Sequence, residues 1–195
     1  MKIGLYFGSF NPVHNGHLII AQHFLNETEL SQIWIVVSPQ NPFKQQKQLL
    51  NEYDRLHLIN LAIEKSQNLK ATDLEFRLPK PSYTINTLAY LKEKHPQHEF
   101  AIIMGSDSLQ NLDQWKNANQ IMESYPMYVY ERPGFAVKNE KVKHLLSLSA
   151  PLLEISATHI RELIQKGKSI RFLVPDSVCD EIEKAGYYKL KDPSK

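Results

Sequence analysis

Cysteine is all but missing from this chain: Cys179 stands alone among 195 residues. A single thiol excludes an intramolecular disulfide and a cysteine metal cluster, and it fits a reducing compartment. Long hydrophobic runs are missing too. The longest apolar stretches, such as Ile33 to Val37, are strand-sized and cannot span a bilayer. The opening Lys2-Ile3-Gly4-Leu5-Tyr6-Phe7-Gly8 turns polar too soon for a secretory leader, so a cytoplasmic protein with no membrane partner is expected. Excess charge of one sign is also absent. Lys and Arg number 23 against 21 Asp and Glu, and the resulting +2 is too small to suggest nucleic-acid binding. Any anionic ligand must therefore be held by local groups. Internal repeats, low-complexity tracts and clear linkers are not found, so residues 1–195 read as one domain.

What is present is a regular alternation. Strand candidates are Ile3–Phe7, Ile33–Val37, Ala71–Phe76, Phe100–Met104, Met127–Tyr130 and Leu152–Ile155. Helical patterns fall at Gly16–Asn26, Tyr53–Lys65, Ile85–Lys94, Trp115–Glu123 and Val142–Leu148. The first, second and fourth strands are apolar at consecutive positions, as strands covered on both faces should be. This order predicts an α/β fold, a mainly parallel sheet with helices on both faces. Two further helices, Thr158–Lys166 and Asp176–Ala185, are each closed by a glycine, and residues 156–195 are expected to form a small C-terminal helical subdomain. The segment Ser38–Leu49, with two prolines, Lys44, Lys47 and four glutamines, reads as a mobile loop.

In such a sheet, ligands bind beyond the carboxyl ends of the strands, and the polar clusters of this sequence fall there. The first strand runs into Gly8-Ser9-Phe10-Asn11-Pro12-Val13-His14-Asn15-Gly16-His17. His14 and His17, three apart at a helix start, project to one side where an anion site is ready-made. Two imidazoles there could donate to phosphate oxygens. They could equally be ordinary polar helix-start residues, or a metal pair, although the motif supplies no acidic or cysteine ligand beside them. Near the other end lies Ile155-Ser156-Ala157-Thr158-His159-Ile160-Arg161. Its hydroxyls, open N–H groups and arginine could hold a triphosphate, or form a plain N-cap with a surface arginine.

Taken together, the two segments resemble the paired signatures of the HxGH nucleotidyltransferase superfamily, the second of the form ISSTxIR. They stand in the family's order and the resemblance covers nearly the whole chain. Three more segments are similar to bacterial nicotinate-nucleotide adenylyltransferases: Ser38-Pro39-Gln40-Asn41-Pro42-Phe43-Lys44, Ser82-Tyr83-Thr84-Ile85-Asn86-Thr87-Leu88, and Met104-Gly105-Ser106-Asp107-Ser108-Leu109 followed by Trp115. Ala157 departs from the family, which usually has a second serine there.

The resemblance implies a Rossmann-like domain that transfers the adenylyl group of ATP to nicotinate mononucleotide. It implies that His14 and His17 contact the ATP phosphates and support the transition state. Gly8, Ser9 and Phe10 would line the nucleotide cleft, and Ser156, Thr158 and Arg161 would hold phosphates. Lys44 would reach the phosphates from its loop, Thr84 and Trp115 would hold the pyridine end, and Asp107 would lie near the ribose. Arg132 belongs to an RPG-like turn near the nucleotide. Plainer readings stand beside these: Trp115 as a core aromatic on a helix, Lys44 as a solvated loop charge, Asp107 as the cap of a short helix after the fourth strand, and Thr84 as an N-cap.

The attacking mononucleotide phosphate is already anionic, so catalysis is expected to rest on positioning and charge stabilisation. Mg²⁺ would ride in with ATP, since no dedicated carboxylate cage is evident. A homo-oligomer is left open. The rivals are another adenylyltransferase or cytidylyltransferase of the superfamily, such as one acting on phosphopantetheine, a nucleotide sensor without turnover, and an HxxH metal hydrolase. The Asn41-Pro42-Phe43-Lys44 and Ser82-Tyr83-Thr84 segments argue against the first.

Overall fold

The two strands β1 (Lys2–Gly8) and β2 (Gln32–Val37) are apolar at nearly every position because helices cover both of their faces. The computed structural model describes residues 1–39, 49–149, 151 and 154–190. The sheet continues with β3 (Leu69–Thr72), β4 (Glu99–Gly105), β5 (Met127–Tyr130) and β6 (Leu145–Leu148). The spatial order is β3-β2-β1-β4-β5-β6, and every neighbouring pair is parallel. The order reverses between β1 and β4, whose register pairs Tyr6 with Ile103. In a doubly wound sheet a crevice opens beyond the strand ends at such a reversal.

Side-chain alternation along the strands divides the core in two. One face carries Tyr6, Ile33, Ile35, Ile103 and Tyr128. It is covered by α1 (Asn15–Glu27), α2 (Glu52–Ile63), α6 (Ala157–Gln165) and α7 (Asp176–Ala185), through Phe24, Leu58, Ile59, Ile160, Val178 and Ile182. The other face carries Ile3, Leu5, Val36, Ile102 and Val129. It is covered by α3 (Thr84–Lys94), α4 (Ser106–Gln110) and α5 (Ala118–Ser124), through Leu88, Leu91, Leu109 and Ile121. Each fully buried Leu, Ile or Phe stabilises the fold by roughly 1.5–3 kcal/mol, so these two layers, rather than any covalent link, hold the molecule together. The C-terminal helix is tied to α2 by polar contacts as well: Ser177 Oγ donates to the Leu61 carbonyl at 3.1 Å, and Tyr187 OH donates to Asp54 at 3.1 Å.

Four elements differ from the sequence reading. Val142–Leu148 reads as a helix, yet Leu145–Leu148 is the edge strand β6, paired with β5 from Met127↔Leu145 to Tyr130↔Leu148. The expected sixth strand, Leu152–Ile155, is not the sixth strand: 152 and 153 lie outside the described residues, and Glu154 and Ile155 are irregular. Ala71–Phe76 divides at Asp73, with the strand ending at Thr72 and a 3₁₀ turn taking Leu74–Arg77. Trp115, read as helical, ends the 3₁₀ turn Leu112–Gln114, and α5 begins only at Ala118 after Asn117 in the left-handed region at φ 55°.

Candidate active site

A cleft of about 1300 Å³ opens at the carboxyl ends of β1 and β4. That exceeds the usual span of a single small-molecule pocket, roughly 300–1,000 Å³, and leaves room for two ligands end to end. Gly8, Ser9, Phe10, His14, His17, Thr84, Asp107, Trp115, Arg132, Ser156, Thr158 and Arg161 all line it. The fold thus gathers segments up to about 150 residues apart around one space, as with Arg161 and Asn11, whose separation is 150. Lys44 and the centre of its loop lie outside the described residues.

His14 occupies the N-cap position of α1 in extended backbone, and His17 follows in the first turn. Their rings stack with centroids 3.6 Å apart and planes at 23°. The backbone N–H of His14 donates to His17 Nδ1 at 3.3 Å. A nitrogen that accepts cannot carry the proton, so neutral His17 holds its hydrogen on Nε2. Burial lowers the His14 pKa to about 4, with the Arg132 charge adding to the effect. Burial, then His14, then Arg132 push His17 well below the ordinary imidazole range. Both rings are therefore neutral at pH 7. Phe10 meets His17 edge-on at 5.0 Å and Tyr6 at 5.6 Å, which fixes the imidazole from below. A Cβ on Gly8 would come within 2.9 Å of that Phe10 ring, and one on Gly16 within 3.1 Å of His14 Nδ1. His14 Nδ1 is buried without a partner. Such an atom beside a polar cleft is placed to meet a ligand.

In the same cleft, Ser156 caps α6, its Oγ accepting from the His159 N–H at 3.1 Å. The N–H groups of Ala157 and Thr158 begin the helix without intrahelical acceptors. Ala157 offers no hydroxyl, but its backbone donor is kept. Arg161 is held by the Asn11 carbonyl at 2.7 Å and by Thr158 Oγ1 at 3.2 Å, while its Nε is buried and unpartnered. A cation with an idle buried donor, a helix N-terminus and two imidazoles together suit a polyphosphate.

At the end of β4, Asp107 in α4 forms an ion pair with Arg132, Oδ1 lying 3.4 Å from Nε. Arg132 also donates to Tyr130 OH at 2.9 Å and lies 5.2 Å from that ring, and its backbone N–H donates to Ser106 Oγ at 2.9 Å. This knot needs Gly105. A Cβ there would sit 2.4 Å from Asp107 Oδ1 and 3.0 Å from Arg132 Nε. Thr84 is the first residue of α3 rather than its cap; Tyr83 holds the cap position without a side-chain capping bond. Trp115 is half-buried against the second core layer and still faces the cleft. Among the described residues, no group of three or more His, Cys, Asp or Glu is placed to hold a metal, and no helix is long and apolar enough to cross a membrane.

Three residues escape sequence reasoning. Arg55 of α2 is fully buried, donating to the carbonyls of Leu50 at 2.9 Å, Ser9 at 2.5 Å, Ser38 at 2.9 Å and Pro39 at 3.3 Å. It ties the ends of β1 and β2 together beneath the cleft. Its signal is an arginine on the apolar stripe of α2, at helical spacing from Leu58 and Ile59. Glu75 is buried in the 3₁₀ turn after β3 and also lines the cleft. Lys116 lies 4.6 Å over the Tyr83 ring beside Trp115, with no mark in the sequence to single it out.

Residues 5–163 match the cytidylyltransferase-like family. The probable nicotinate-nucleotide adenylyltransferase of Flavobacterium psychrophilum is 48% identical over 97% of this chain and 100% of its own length. That of Cytophaga hutchinsonii is 49% identical over 96% of this chain and 98% of its own. Among solved structures, a Plasmodium falciparum nicotinic acid mononucleotide adenylyltransferase complexed with NaAD aligns over 96% of this chain and 97% of its own, with a TM-score of 0.82 at 22% identity. At that identity the likeness shows the fold.

Proposed function

Since the chain belongs to the nicotinate-nucleotide adenylyltransferases within the cytidylyltransferase-like family, we propose that its cleft joins the adenylyl group of ATP to nicotinate mononucleotide. The products are nicotinate adenine dinucleotide and pyrophosphate, a step in NAD biosynthesis. The observation that carries this reading is the stacked His14–His17 pair facing Arg161 and the open start of α6 across one cleft.

A phosphate oxygen of the mononucleotide attacks the α-phosphorus of ATP. The new P–O bond forms as the bond to the β-phosphate oxygen breaks, and pyrophosphate leaves. The nucleophile is anionic at pH 7, so no general base is needed. His17 Nε2–H and His14 donate to the phosphoryl oxygens on which charge builds. Arg161, Ser156, Thr158 and the N–H groups opening α6 hold the leaving pyrophosphate. Gly8, Ser9 and Phe10 form the floor of the nucleotide half. Arg132 and Asp107 border the ribose and adenylate groups. Thr84 and Trp115 hold the pyridine ring, with Lys44 reaching the phosphates from its loop.

Among the described residues that line the cleft, Asp107 is engaged by Arg132 and Glu75 by Ser82 and Thr87, which leaves Glu154 as the one further carboxylate, too few for a cage around a resident ion. Mg²⁺ would arrive on the triphosphate oxygens as part of the substrate. Residues 1–195 act as one nucleotidyltransferase domain, with the C-terminal helical portion from 156 closing the phosphate end. We place it in the cytoplasm, with small-molecule partners, no nucleic acid and no membrane; self-association is compatible with this reading. Incubation with ATP, Mg²⁺ and nicotinate mononucleotide, followed by mass analysis, tests it. Equimolar dinucleotide and pyrophosphate are expected, and no dinucleotide would overturn it.

A further inference from the structure

Glu75 is a buried carboxylate, 2% exposed, on the 3₁₀ turn Leu74–Arg77. Among the described residues no lysine or arginine pairs with it. Its partners are hydroxyls: Ser82 Oγ donates to Oε2 at 2.7 Å and Thr87 Oγ1 donates to Oε1 at 2.9 Å. The Ser38 side chain, at the end of β2, adds a further hydrogen bond. Burial pushes the Glu75 carboxyl up, and the Ser82, Thr87 and Ser38 hydroxyls pull it back. A buried carboxylate held only by hydroxyls is costly, and packing alone could have been met by an apolar side chain.

Ser82 and Thr87 straddle the start of one helix. Ser82 precedes Thr84, the first residue of α3, and Thr87 lies within the first turn. The helix has no local side-chain cap at Tyr83. A serine or aspartate cap would have occupied one of the opening N–H groups. Glu75 instead grips hydroxyls before and inside the first turn, which leaves the opening N–H groups of the helix free. The N–H groups of Thr84 and Ile85 begin the helix without intrahelical acceptors, and Thr84 faces the cleft.

We infer that Glu75 is a positioning residue for the mononucleotide: it sets the opening turn of α3 from a distance, so that the donors of this turn meet the ring carboxylate already in place. The inference rests on nicotinate mononucleotide being the substrate.

The test uses Glu75→Gln, Glu75→Leu and Thr87→Val in the full chain. KM is measured for each substrate separately, together with the kcat/KM ratio of nicotinate mononucleotide to its amide. Glu75→Leu should raise KM for the mononucleotide about tenfold or more and lower the acid-to-amide ratio, with KM for ATP within about twofold. Glu75→Gln should fall between Leu and the native residue, since its amide can still engage both hydroxyls. Should the Leu variant fail to fold, Thr87→Val removes one arm only and should raise the mononucleotide KM by about three- to tenfold. Equal rises for both substrates in Glu75→Gln or Thr87→Val would reduce Glu75 to a structural role and overturn the inference, as would unchanged constants. If the unmodified protein makes no dinucleotide, the substrate reading falls and takes this inference with it; if it does, the variants decide the inference alone.

Discussion

The His14 backbone N–H donates to His17 Nδ1 at 3.3 Å while the two rings stack at 3.6 Å, so the first histidine sets the tautomer of the second. The consequence is directional: His17 presents Nε2–H, a donor, and cannot serve as a base through the other nitrogen.

His17→Ala should fold normally and lose most turnover. Removal of one donor from a developing oxyanion costs about 10²–10³-fold in kcat. Steady-state kinetics with circular dichroism as the folding control checks this. A folded variant with native kcat would remove His17 from the mechanism.

The pair also makes stability depend on pH. The folded His14 pKa of about 4 lies below its unfolded value near 6.5, so folding favours the neutral ring. The contribution is whole above pH 6.5. It is lost as pH falls toward 4, because the unfolded chain takes up the proton first. For His14 this amounts to about 2 kcal/mol between pH 7 and 5. Denaturant titrations across that range should show the slope in the native chain and a flatter one in His14→Gln; equal slopes would contradict the burial argument.

Gly105→Ala should cost activity well beyond its effect on folding. The added methyl would meet Asp107 Oδ1 at 2.4 Å and Arg132 Nε at 3.0 Å, forcing the pair apart. A displacement of about 1 Å at such a site costs about 10- to 100-fold in kcat/KM. Native kinetics in this variant would mean that the Asp107–Arg132 contact plays no part.

Arg55→Met should destabilise the chain by about 3 kcal/mol or more, leaving four carbonyls without their charged donor. The expected fall in Tm is roughly 6–12 °C. Calorimetry measures it, and an unchanged Tm would show that these carbonyls find other partners.

Legibility in the sequence followed the range of the interactions. The strands β1, β2 and β4 stand out because burial on both faces leaves an unbroken apolar run. That His14 and His17 open a helix and that Ser156 caps the one carrying Arg161 was legible because those signals are local, while their meeting in one cleft was suggested only by the resemblance of the two segments to a family. The edge strand β6 was not: Val142, Leu145, Leu146 and Leu148 satisfy a helical period as well as an extended one, and pairing with β5 decides the matter. Glu75 was hidden for the same reason. Its meaning lies in Ser82 and Thr87, 7 and 12 residues away, and no periodicity records that meeting.

Arg161→Ala should weaken ATP more than the mononucleotide, because its unpartnered Nε and its seat on Asn11 lie at the end of the cleft where the triphosphate is proposed to bind. One charge-assisted contact of about 1.5–3 kcal/mol corresponds to about 10- to 150-fold in affinity. Separate titrations decide it, and equal losses would mean a structural role.

The most direct test of the account compares kcat/KM for nicotinate mononucleotide and its amide under one ATP and Mg²⁺ condition. The backbone N–H groups that open α3 can only donate, which a carboxylate satisfies fully and an amide does not. An unpaired buried group costs roughly 1–3 kcal/mol, so the acid should be favoured by about 5- to 150-fold. A ratio near one, or one favouring the amide, would contradict the account.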